Sequence, residues 1–178
     1  MLNLTESMSQ SNTVLAPPDD FRGAENVHWA HLTEEPGFVR RGSRRGAKGR
    51  GIRYEERTQR ALDRQYSDMY VASPWVCFSA DGSGPRYCQP DGLLVDIERG
   101  KIFVVEIKYN HVAMAYWKLF HLYKPVVQKL FGDEWRYSCV EVVKWYDAST
   151  YGPADVTLRR RVHEAAPREW AVVIINER

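Results

Sequence analysis

Across residues 51–70, Ile52, Glu55, Gln59, Leu62, Tyr66 and Met69 recur at steps of three and four, which predicts one face of a helix. That face is apolar except for Glu55 and Gln59, and a carboxylate on the inward side of a helix is an anomaly that asks for a reason. Residues 75–78 and 86–88 read as two strands around a Gly- and Pro-containing turn. Residues 93–95 and 102–108, joined by a turn at 98–101, predict a hairpin. A second helix is expected over 112–131, with Val112, Tyr116, Leu119, Tyr123, Val127 and Leu130 as its inward stripe and Pro125 kinking or interrupting it near its second half. Strands are expected at 137–145 and 170–175, and more weakly at 156–162. The order α, β, β, β, α, β predicts an α/β or α+β fold with a central mixed β-sheet flanked by helices.

Charge changes this picture by its distribution. The net charge of +2 hides six acids against one base in residues 1–36, seven bases and no acid in residues 37–54, and seventeen of each thereafter. Three regions follow: a flexible acidic N-terminal arm (1–39), a basic loop (40–50) whose glycines argue for an extended backbone, and a folded domain (51–178). Trp29 and Phe38 are candidate anchors of the arm. No basic leader precedes an apolar run, and the longest apolar stretches are strand-length, so neither a secretion signal nor a membrane span is expected. Cys77, Cys88 and Cys139 form no CxxC pair and leave one over in any disulfide scheme, which fits reduced thiols in a cytoplasmic environment.

The candidate chemistry lies on the hairpin. Side chains alternate along a strand, so Glu106 and Lys108 share a face, while Phe103, Val105 and Ile107 take the other. Pairing about Arg99-Gly100 puts Glu106 opposite Val95 or so, and Asp91 roughly one rung beyond Lys108. Glu55 offers a third carboxylate from the helix. Two carboxylates ~4 Å apart repel by about 4 kcal/mol at an effective dielectric near 20. A divalent cation removes that cost, and oxygen ligands suit Mg²⁺ or Mn²⁺ better than Zn²⁺. Such a metal polarises a phosphodiester and acidifies a bound water. Lys108 would orient or deprotonate that water or steady the transition state, with its pKa lowered by the cation and by partial burial.

Pro90-Asp91, fourteen intervening residues and Glu106-Ile107-Lys108 resemble the PD-(D/E)XK motif of the restriction-endonuclease-like phosphodiesterases. Gly51-x-x-x-Glu55 is similar to a first-helix Gly-x-x-x-Glu found in many members, and the element order over residues 50 to about 146 is similar to the αβββαβ core of that superfamily. The resemblance implies Asp91, Glu106 and the Ile107 carbonyl as metal ligands, Glu55 joining directly or through water, and Lys108 as the catalytic lysine. The Gln-x-x-x-Tyr signature of RecB-type exonucleases is not reproduced, since Lys118 and Tyr123 have the wrong spacing; an endonuclease is the expectation.

Seven cations, Arg40, Arg41, Arg44, Arg45, Lys48, Arg50 and Arg53, are candidate phosphate contacts that would position nucleic acid without reading its sequence. Lys118, His121 and Lys124 form a second basic surface, and Arg159–161 a third. His111, three residues past Lys108, reads as a surface residue at a helix start, with an approach to the scissile region as the alternative, and Cys88 as a core residue rather than a nucleophile. The expected activity is Mg²⁺- or Mn²⁺-dependent hydrolysis of DNA, of a kind that suits phage or mobile-element DNA processing, repair or recombination by fold-level analogy. DNA and, as a homodimer, a second copy of the chain are the partners this reading allows. A non-catalytic nuclease-like scaffold for DNA binding or virion assembly is the competing class.

Overall fold

The computed structural model describes residues 22–39, 45–145 and 170–174. They form an α+β arrangement of eight strands, β1 (Val27–Thr33), β2 (Tyr70–Ala72), β3 (Trp75–Ala80), β4 (Arg86–Cys88), β5 (Gly92–Asp96), β6 (Lys101–Asn110), β7 (Arg136–Trp145) and β8 (Trp170–Ile174), with helices α1 (Gly46–Gln65), α2 (Ala113–Lys118) and α3 (Lys124–Phe131). The expected single sheet is two. A mixed five-stranded sheet runs β2-β5-β6-β7-β8, and a three-stranded one runs β1-β3-β4. Within the larger sheet β5 and β6 are antiparallel, and β6, β7 and β8 are parallel. The 156–162 strand and the basic stretch 159–161 lie outside the described residues, as do most of the arm and Arg40, Arg41 and Arg44.

Part of the expected arm is structured: β1 pairs antiparallel with β3, with a bulge between Val27 and Trp29. Its register leaves Trp29 and Leu32 exposed, so the strand has no strong apolar alternation to betray it. Phe38, expected as an anchor, is mostly exposed, its ring edge-on to Tyr87 at 5.4 Å.

Helix α1 begins and ends five residues earlier than expected, absorbing Lys48 and Arg50 from the expected loop. Its inward line is Gly49, Tyr54 and Thr58, while Ile52, Glu55, Gln59 and Leu62 lie half-buried on a flank. Tyr54 packs with Val105, Ile107 and Val142 on one face of the large sheet. Ile102 and Val104 lie on the other face, in a core shared with Leu119, Tyr123, Val126 and Val127 and with Val76, Phe78 and Ala80 of the small sheet. The three described cysteines are buried free thiols, and burial pushes Cys88 up to about 12, in keeping with a core role.

The second helical region is interrupted just ahead of Pro125, as expected: residues 119–123 widen into a π-type turn between α2 and α3. Proline has no N–H to return to the carbonyl four residues back. That carbonyl, of His121, accepts a 2.6 Å hydrogen bond from the Ala24 N–H, so the segment before β1 completes the helix. Among the described residues no helix is long and apolar enough to cross a membrane.

Candidate active site

The hairpin loop is the four residues Ile97–Gly100, closed by Gly100 N–H to the Ile97 carbonyl at 3.2 Å, with Gly100 in the left-handed region at φ +58°. Asp96 accepts from the Arg99 N–H at 3.1 Å and pairs with its guanidinium at 2.8 Å. This loop sets a register different from the expected one: Val95 pairs with Ile102 and Gly92 with Val105. Asp91, the residue before Gly92, therefore arrives abreast of Glu106 rather than beyond Lys108.

Beyond Val105 the β5-facing edge of β6 pairs with no strand among the described residues. The Asp91 carboxylate takes over, its Oδ2 accepting the Ile107 N–H at 2.6 Å and lying 3.5 Å from the Lys108 ammonium. Lys108 also ion-pairs with Glu106 and donates to the Ile107 carbonyl at 3.2 Å. Lys118, expected on a nucleic-acid surface, turns toward Glu106 at 3.8 Å. The Asp91 backbone is held just as firmly. Its carbonyl accepts from Gln59 Nε2 at 3.0 Å, the Ser73 N–H at 3.1 Å and the Tyr70 hydroxyl at 3.2 Å. Gln59 spans to the Ser73 hydroxyl at 2.6 Å, which explains the second polar residue on the helix stripe. Gly92 is required here because a Cβ would overlap the Tyr70 ring.

Glu55, Asp91, Glu106 and Lys108 thus converge on one electrostatic cluster. Burial, then Asp91, Glu106 and Glu56, push the Glu55 carboxyl up to about 7 against the pull of Lys108. Glu106 is fully buried. Burial and Asp91 raise its carboxyl, while Lys108 and Lys118 oppose them. Burial alone would depress the Lys108 ammonium, as expected from sequence, but Glu106 and Asp91 outweigh it and hold the lysine above its ordinary range. Burial thus acts in the expected direction, and in the metal-free chain the two flanking acids outweigh it and hold the proton on Lys108.

Two residues of this region are not singled out by the sequence pattern as site residues. Glu141 of β7 stands beside Glu106 in the parallel register and is fully buried. Its Oε2 lies 2.5 Å from Nδ1 of His111, which is buried rather than on the surface. Burial pushes Glu141 up to about 8, against Lys108 and the Val112 N–H. The signal available was the lone acid in the apolar run of β7, paired with a histidine just past Lys108. Of the remaining candidates, Arg45, Lys48, Arg50 and Arg53 are exposed at and along the start of α1, and Lys124 lies 5.9 Å from the Phe120 ring centre.

Among the described residues, no group of three or more His, Cys, Asp and Glu is gathered as a ready cage for a metal. A smaller donor set is present. Asp91, the Ile107 carbonyl and Glu106, whose buried Oε2 has no hydrogen-bond partner, are hard oxygen donors of the kind Mg²⁺ accepts with one or two carboxylates and substrate phosphate. No protein-family model matches this sequence, and comparison with curated proteins returns no match.

Proposed function

We propose that this protein is a metal-dependent phosphodiester hydrolase of the PD-(D/E)XK type acting on DNA, with Asp91, Glu106 and the Ile107 carbonyl holding Mg²⁺ or Mn²⁺. The observation that carries the reading is the Asp91 carboxylate bonded to the Ile107 N–H and set against Lys108, which joins the two halves of the motif across the open edge of β6. Glu55 reaches the same cluster from α1, as the resemblance implies.

The metal, when bound, supplies Lewis-acid polarisation of the diester and a more acidic water. The chain's own residues do the rest. Asp91 is oriented by three donors on its carbonyl and one on its carboxylate, so little side-chain freedom is lost on ligation. Lys108, kept protonated by two acids, presents a cation to the charge that builds on the non-bridging oxygens. Glu55, with a carboxyl near neutrality, is able to accept a proton close to physiological pH. The exposed cations of α1 hold phosphates flanking the cut.

One observation favours the competing scaffold reading: Lys108 and Lys118 already offset the charge on Glu106, so the cluster is not electrostatically bare. Incubation of the purified protein with supercoiled, linear and branched DNA in Mg²⁺ or Mn²⁺ separates the two readings. Cleavage that stops on chelation supports the hydrolase. DNA binding with no cleavage in either metal supports the scaffold.

A further inference from the structure

Helix α1 has a second chemical flank. Glu55 and Gln59 face Asp91, whereas Arg53, Arg57 and Arg60 lie about 100–200° further round the helix at 3.6 residues per turn. Those three, with Arg50 and with Lys144 from the end of β7, line a groove of about 390 Å³. Among the described residues of the lining, Glu56 is the one carboxylate and Tyr109 the one aromatic residue. Five cations against one acid give these described residues a formal charge of +4. All four arginines are exposed, and Arg60 Nε donates to the backbone carbonyl of Glu56 at 3.2 Å, which ties its guanidinium to the helix surface.

Spacing indicates what such a groove holds. Arg50, Arg53, Arg57 and Arg60 fall at steps of three and four, one per turn, so their row is about 15 Å long at 1.5 Å per residue. One strand of a duplex rises about 3.4 Å per nucleotide along the helix axis, so the row spans about four phosphates laid along that axis and fewer when it follows the backbone itself. A single phosphate uses only part of the row. Lys144 lies over the Tyr109 ring, 5.6 Å from its centre, and so covers one of its two faces. The groove is built for a backbone.

We propose that this groove is an exosite for the sugar–phosphate backbone of a nucleic-acid strand, engaging it on the flank of α1 opposite the carboxylate cluster. It rests on the hydrolase reading in one respect, that the strand held here continues to the scissile bond around the same helix. The groove positions the strand without reading its sequence, and it brings Arg57, Arg60 and Lys144 into an interface that the sequence pattern ends at Arg53 on this helix.

Binding without chemistry tests it separately from catalysis. Fluorescence anisotropy of labelled 12-mer and 24-mer DNA, in EDTA, is measured against salt for the Asp91→Ala protein with and without Arg53→Gln, Arg57→Gln and Arg60→Gln together. The expected result is affinity lower by about tenfold or more and a log–log salt slope shallower by about 2–3, near 0.7–0.9 for each phosphate no longer neutralised. The corresponding triple substitution to lysine keeps the slope, which separates a phosphate row from a damaged fold. An unchanged slope in the glutamine variant overturns the proposal. So does inorganic tripolyphosphate displacing the 12-mer at equal concentration, since that makes the occupant a small polyphosphate. Loss of cleavage in the parent protein with this binding intact counts against the hydrolase reading alone.

Discussion

Lys108 sits between Asp91 and Glu106, and its removal acts on chemistry and stability together. Lys108→Met leaves Glu106 buried with only the more distant Lys118 to offset it, and breaking a buried pair from one side costs about 3–5 kcal/mol. Lys108→Met with Glu106→Gln removes the stranded charge, so the double variant regains most of the lost stability in urea denaturation while remaining inactive. Gly92→Ala pushes a methyl into the Tyr70 ring and loosens the hydroxyl from the Asp91 carbonyl. A loss of about 1–3 kcal/mol is expected, with activity falling further than stability explains. At this scale the motif residues were legible, because Glu106 and Lys108 need only strand periodicity to share a face. The proton balance was not. Whether burial or two neighbouring acids governs Lys108 depends on distances of a few ångströms that spacing along a chain does not contain.

At the scale of elements, the hairpin was legible as two apolar runs around a turn, but its register depended on where the loop is centred. The expected turn at 98–101 and the observed loop at Ile97–Gly100 differ by one residue, which moves Asp91 abreast of Glu106 and assembles the cluster. Helix α1 is rotated relative to its apolar periodicity because Tyr54 and Thr58, which bury its centre line, look polar in sequence. The interruption of the second helix was legible from Pro125, but its π-type geometry was not, because the partner of the His121 carbonyl, the Ala24 N–H, comes from a distant segment. The pairing of β6 with β7 brings its own prediction. Burial holds a proton on the Glu141 carboxyl up to about pH 8 in the fold, facing His111, Lys108 and the Val112 N–H, with Glu106 alongside. In the unfolded chain a carboxyl loses its proton near pH ~4.3 and a histidine near ~6.5. The folded state therefore binds the extra proton, and the stability it contributes is present at lower pH and lost as pH rises through about 8. The metal-free melting temperature should fall between pH 6 and 8.5, and Glu141→Gln should flatten that slope. A slope unchanged by the substitution removes Glu141 as its source.

Over the whole molecule, the two flanks of α1 divide the work. One meets the carboxylates, the other carries a row of arginines, and the large sheet fixes both against β6 and β7. The near-neutral net charge gave no hint of this, whereas the segment of seven bases did, although the structure places its described members at the start of a helix rather than in a loop. The small sheet and the second half of the basic groove were not legible, because each joins residues far apart in sequence through weakly patterned elements. The most direct test of the central claim is the rate of supercoiled-plasmid cleavage in Mg²⁺, compared among the parent protein, Asp91→Ala and Lys108→Ala under identical conditions. The assignment predicts cleavage by the parent and a fall of about a hundredfold or more in each variant, the loss typical when a group that stabilises the transition state is removed. Cleavage at the parent rate in both variants would contradict it.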